Sequence, residues 1–217
     1  MIRPAISLIL AISPFLVTPE IPWNKSKSGG GVIVYTRPVV GSDIKEIKAT
    51  FELPCSINTA VACVTDIANY PKWIYATSES KVLKVISPTE ITIYQRINTP
   101  WPLDDRDICG HYLMKQDPTT LDVNITTHAE PNLVPNKAGV VRIQFNRTIW
   151  NIKSLAKNKL HCEYYITFDP AGTVPAWMIN LFISEGPYSS LTKLIQEVKL
   201  PKYANIKHSW IKEKHMA

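Results

Sequence analysis

Between residues 81 and 168 the chain repeats one pattern six times. A stretch of seven to eleven residues rich in β-branched and aromatic side chains is followed by a turn bearing Pro, Asp, Asn or Gly. The stretches read "KVLKVIS", "EITIYQRIN", "RDICGHYLMK", "TLDVNITTH", "VVRIQFNRTIW" and "LHCEYYITF". Short strands joined by links of hairpin length form an antiparallel meander. In the last stretch Leu160, Cys162, Tyr164, Ile166 and Phe168 share one face, opposite His161, Glu163, Tyr165 and Thr167. A period of two places one face in the core and the other in water.

What flanks the meander narrows the fold class. After a Gly29-Gly30-Gly31 hinge, "VIVYTRPV" reads as a first strand and "IKEIKATFEL" as a second, stopped by Pro54. "SINTAVACVTDIANYPKWIY" changes to helical spacing at Val61, Val64, Ile67 and Ala68, with Ser56 or Asn58 as cap and Pro71 as terminator. "DPAGTVPAW" breaks the sheet, and residues 175–199 carry a helical stripe through Met178, Leu181, Leu191, Leu194, Ile195 and Val198, with a kink expected at Gly186-Pro187. This is an α+β domain. A curved sheet closing on one long helix leaves an internal hydrophobic cavity, and the apolar inner face makes its ligand apolar.

The chain divides into an apolar segment at 1–22, a globular domain at 23–200 and a basic tail at 201–217. "PAISLILAISPFLV" after Met1, Ile2 and Arg3 has the outline of a signal peptide. It is short for a membrane span, which takes about 20 residues. Export to the periplasm or beyond is one expectation and an uncleaved membrane-associated arm another, with a cytoplasmic location as the alternative. Of the formal charge of +6, the last nineteen residues supply +4, from Lys199, Lys202, Lys207, Lys212 and Lys214 against Glu213. The body is therefore nearly balanced, without the basic face that nucleic acid requires. The tail reads as a solvated, frayed end, or as a weak attraction to anionic membrane.

Motifs for chemistry are few. No G-x-S-x-G, phosphate loop or H-E-x-x-H occurs. Asp107, Cys109 and His111 share one strand face, but residues two apart lie about 6 to 7 Å from each other, too far for nucleophile and base. The aspartates around Arg106 point to a structural ion pair between Arg106 and Asp107. His128 and His161 are expected in solvent. The four cysteines show no metal spacing and are expected as buried thiols, with a Cys55–Cys63 bridge open if the chain is exported. No metal, no cofactor and no catalytic residue is expected.

The order of "GVIVYTRPV", "IKEIKATFELP", "DIANYPKWI", "PWPLDDRDICG", "GVVRIQF" and "FDPAGTVPAWMIN" resembles the START domains, the lipid-transfer domains related to the steroidogenic acute regulatory protein, in their bacterial branch. The likeness covers residues 31–199. It implies a helix-grip fold, in which a curved antiparallel sheet wraps a long C-terminal helix around a tunnel for one lipid or other hydrophobic molecule. The mouth then falls at Pro100, Trp101 and Pro102 and at Ala171 to Pro175, with the lid from Trp177 onward. Cavity and mouth contacts fall on Tyr94, Trp101, Tyr112, Tyr164, Phe168, Trp177, Met178 and Leu181. Some members dip a tryptophan of the first loop into a bilayer, and Trp101 matches it; packing of Trp101 onto its own prolines is the alternative. Some carry a second Trp where this chain has Thr173. Sterol-transferring members bury an arginine where this chain has Tyr112, so a sterol held by that charge is not implied. The likeness thus implies a monomeric lipid binder with transient membrane contact and no nucleic acid partner. A polyketide cyclase-like enzyme on the same fold and a module whose cavity is not loaded are the rivals.

Overall fold

The computed structural model describes residues 21–175, 179–180 and 183–214. Ten strands make one sheet: β1 (Asn24–Gly29), β2 (Val32–Val39), β3 (Ser42–Leu53), β4 (Thr77–Ser87), β5 (Glu90–Ile97), β6 (Asp105–Gln116), β7 (Val123–Ala129), β8 (Val140–Arg142), β9 (Phe145–Ala156) and β10 (Lys159–Asp169). Their order is β1-β2-β3-β10-β9-β7-β6-β5-β4, every neighbour antiparallel, with β8 set parallel against the start of β6. The described helices are α1 (Ile57–Val64), α2 (Tyr70–Trp73) and α3 (Glu185–Glu197). A curved antiparallel sheet with a C-terminal helix on its inner side is the architecture that the alternation implied. No described helix is long and apolar enough to cross a membrane.

Five local expectations change. The glycine run is not a hinge but the turn of a β1–β2 hairpin, with φ of 54° at Gly30 and 82° at Gly31. That hairpin backs onto α3, where a Cβ on Gly29 would lie 2.7 Å from the Tyr188 hydroxyl. Pro71 does not end a helix. α1 stops at Val64, and Pro71 sits in the first turn of α2, where its missing N–H is no loss. "VVRIQFNRTIW" is two strands, because its first three residues leave β9 and pair with β6. Gly186 and Pro187 likewise fall in the first turn of α3 rather than within a long helix, so no kink is needed there.

The basic tail, finally, is docked rather than frayed. Tyr203 and Ile211 are buried. Asn58 donates to Glu213 at 2.6 Å, and Gln116 exchanges hydrogen bonds with the Lys212 backbone at 2.8 Å each way. Residues 1–20, on which the export expectation rests, lie outside the described residues.

The inner face of the sheet is used in two ways. Every residue of α1 is buried, as in a helix surrounded by core. It shares a packed cluster with Leu160 and Cys162 of β10, Ile152 of β9 and Val123 of β7. All four cysteines are free and buried. Burial pushes the Cys55 and Cys63 thiols up to about 12, so they act as small apolar groups. Further along the same strands, toward the end where β6 begins and β10 finishes, no described residue fills the concavity.

Candidate functional site

That unfilled half of the sheet is a cavity of about 570 Å³, within the range of pockets that enclose one small ligand. Its strand walls come from alternate residues of one face: Ile93, Gln95 and Ile97 on β5, Ile108, Gly110 and Tyr112 on β6, and Tyr164, Ile166 and Phe168 on β10. Tyr70 and Trp73 of α2 close one side, and Gly186, Ser190 and Leu191 of α3 roof it. Gly110 keeps the wall thin, since a Cβ there would come within 3.1 Å of Thr127. The lining is mostly apolar. No described lining residue is an Asp, Glu, His, Cys or Lys.

The polar groups on the wall are mostly hydroxyls and amides. Tyr70 donates to the Val64 carbonyl at 2.8 Å, and its oxygen lies 3.0 Å from that of Tyr112. Because a carbonyl only accepts, the Tyr70 hydrogen goes to Val64, and Tyr112 is the donor between the two rings. Burial pushes both hydroxyls above their ordinary range, so neither ionises near neutrality. Tyr164 is likewise raised by burial, and its ring packs on Trp150 at 4.5 Å between centroids.

The mouth lies at residues 98–103 and beside Pro170 and Val174. Trp101 is 92% exposed there, so its ring is not packed onto the body. Val40 in the β2–β3 turn and Phe145 at the start of β9 are also exposed, and the strand pairings place both at this same end of the sheet. The turn after β10 needs a positive φ, which Gly172 supplies at 75°. Arg106 ties the two loops of the mouth together. Its Nη1 donates to the Asp104 carbonyl, and its Nε and Nη2 reach the Pro170 and Ala171 carbonyls at 3.5 Å. Burial lowers the pKa of its guanidinium, an effect that Asp104 and Asp105 oppose.

The expected residues thus separate. Trp101, Tyr112, Tyr164 and Phe168 come together on the cavity and its mouth. Tyr94 does not line it: it faces outward beside Thr92, while Ile93 and Gln95 face in. It is buried all the same, because Lys137 of the loop after β7 lies over its ring at 4.3 Å. Trp177, Met178 and Leu181 lie outside the described residues. Arg106 and Asp107 do not pair, since neighbours on a strand point to opposite faces. Arg106 turns to the cavity and Asp107 to Arg142, at 2.6 Å. The alternation of β5 and β6 could have separated both pairs in the sequence. The contribution of Tyr70 and Trp73 could not be read there, because α2 is one turn long and its direction is set by packing.

No family model matches the chain. A Pseudomonas aeruginosa protein without an assigned function is 28% identical over 174 residues, 79% of this chain and 84% of that protein. The phosphatidylcholine transfer protein of Rattus norvegicus is 22% identical over 182 residues, 80% of this chain and 82% of that protein. Among solved structures, a STAR-related lipid transfer protein fragment from Xanthomonas axonopodis superposes with a TM-score of 0.77 at 25% identity, covering 82% of this chain and 99% of that one.

Proposed function

We propose that this chain, whose fold is that of the START lipid-transfer domains, is a carrier for one largely apolar lipid held between the sheet and α3. The observation that carries the reading is the mostly apolar cavity of about 570 Å³, built by one face of six strands and roofed by α3. Moving a chain from water into such a lining is worth about 0.8 kcal/mol per CH₂, so affinity needs no reactive group. The named relatives support the ligand class, since one transfers phosphatidylcholine and another is a STAR-related lipid transfer protein. The Tyr70–Tyr112 pair gives the wall one polar point, whose remaining lone pairs suit a hydroxyl of the ligand as donor. The exposed apolar residues at the mouth support loading from a membrane surface, with the indole of Trp101 at the interface. The apolar 1–22 stretch supports a carrier that is exported or held at a membrane by its N-terminus. A reaction in this cavity would have only hydroxyls, amides and Arg106 to draw on among the described lining residues, so nothing favours an enzyme over a carrier.

Native mass spectrometry of the gently purified chain, before and after incubation with phospholipid and fatty-acid vesicles, is the test. One bound lipid per chain is expected, together with weakened uptake in Ile108→Trp, which projects an indole into the cavity from β6. A wild-type chain that stays empty in both conditions would rule out the carrier.

A further inference from the structure

Outside the cavity, on the wet face of the sheet, four ionisable side chains from three strands meet. His111 on β6 stands directly opposite His128 on β7, their rings 5.0 Å apart and nearly perpendicular. Glu130 follows β7 and is held in line by its N–H donating to the Cys109 carbonyl at 2.8 Å. Glu90 begins β5, one diagonal step from His111 on the same face. The Nε2 of His111 lies 2.7 Å from Glu90, its Nδ1 lies 3.3 Å from Glu130, and the same Glu130 oxygen is 3.2 Å from Nε2 of His128.

A neutral imidazole has one N–H and one lone pair. The short contact to Glu90 takes the N–H, which turns the lone pair of Nδ1 toward a carboxylate that can only accept. Two acceptors facing each other at this distance call for a cation between them. We propose that His111 Nδ1, His128 Nε2 and Glu130 bind a divalent transition metal of the Zn²⁺ class. The three ligand atoms lie within 4.8 Å of one another. The two contacts to Glu130, 3.3 and 3.2 Å, are close to the edge of about 3.3 Å in a tetrahedron whose bonds are about 2.0 Å. Two imidazoles and a carboxylate select zinc, copper or nickel over magnesium and calcium. Glu90 is the outer carboxylate that orients a ligating histidine through its other nitrogen. The His128 and Glu130 side chains are 56% and 37% exposed, which leaves a fourth position open to water. The ion would pin β7, and the loop that leaves it, to β6 on the face away from the lipid.

The test is titration of the chelator-treated full chain with Zn²⁺ by calorimetry, with thermal unfolding in parallel. One equivalent should bind and raise the unfolding midpoint. His128→Ala and Glu130→Gln should each weaken Zn²⁺ at least tenfold while unfolding, without metal, near the wild-type temperature. Glu90→Gln should weaken it by about tenfold. Excess Mg²⁺ should not compete. The site is refuted if no stoichiometric binding occurs. It is equally refuted if His128→Ala binds as wild type, which would put the ion elsewhere.

Discussion

Arg142 holds both carboxylate oxygens of Asp107, through Nε at 2.6 Å and Nη2 at 3.0 Å, with both side chains almost fully withdrawn from water. The same guanidinium gathers the carbonyls of Pro131, Val134 and Pro135, so one ion pair fastens the loop after β7 across the outer face of β6. The hydrogen bonds that Arg142 donates to Asp107 hold the Arg142 pKa above its ordinary value, against the pull of burial.

Asp107→Asn would leave that guanidinium charged, buried and half paired. Removing one partner of a buried pair costs about 3 to 5 kcal/mol. The urea midpoint should fall accordingly, while the chain that remains folded still takes up lipid, because Asp107 faces away from the cavity. A loss below about 1 kcal/mol, the range of exposed pairs, would show that the pair does not anchor the strand.

Arg106 has the opposite position and a different task. Its contacts are backbone carbonyls of the two loops that frame the mouth. Arg106→Met keeps the aliphatic stem and removes the clasp. Hydrogen bonds to a charged donor are worth about 1.5 to 3 kcal/mol, so stability should fall within that span. Release of a fluorescent fatty acid should become faster, since the loops are no longer tied. Full stability with abolished uptake would instead make Arg106 a ligand contact.

These two residues show what the sequence could and could not tell. The period of two in β5, β6 and β10 contains the sheet, its inner face and the places of Tyr112, Tyr164 and Phe168. It also contains the opposition of Arg106 to Asp107, because that follows from alternation alone. It does not contain Arg142, which lies 35 residues away and reaches Asp107 through a parallel three-residue strand inside an apparent continuous stretch. Nor does it contain the His111–His128 pairing, since register between strands is set by the turns between them. The docking of the tail onto Asn58 and Gln116 was hidden for a related reason. Its lysines look like a solvated end, and only Tyr203 and Ile211 mark the buried face.

Trp101 offers the most direct test of the mouth. It is exposed, so Trp101→Ala should leave the unfolding midpoint within the range of ordinary surface changes, about 0.5 kcal/mol either way. Sedimentation with phosphatidylcholine vesicles should drop several-fold, as should the rate of lipid uptake. Unchanged sedimentation and uptake would remove Trp101 from membrane contact.

The docked tail makes stability depend on pH. His208 is partly buried beside Trp210, and its Nε2 has no hydrogen-bond partner among the described residues. Burial holds its pKa below 6.5. The unfolded chain therefore takes up this proton first, and the folded chain binds fewer protons in that window. Stability is then complete above pH 6.5 and declines as the pH falls through 6.5 toward the lowered value. Carboxylates act later. Burial alone would raise Glu163, but hydrogen bonds from Lys48 and Tyr165 hold it below 4.5, so its contribution is lost only as the pH falls past 4.5. Urea unfolding at about pH 7.5 and about pH 5.5 separates the two effects. The wild-type midpoint should drop between these values, and His208→Phe, which keeps a ring against Trp210 without a proton to gain, should lose at least half of that drop. An equal drop in both chains would place the titrating group elsewhere and leave the tail's docking indifferent to protons.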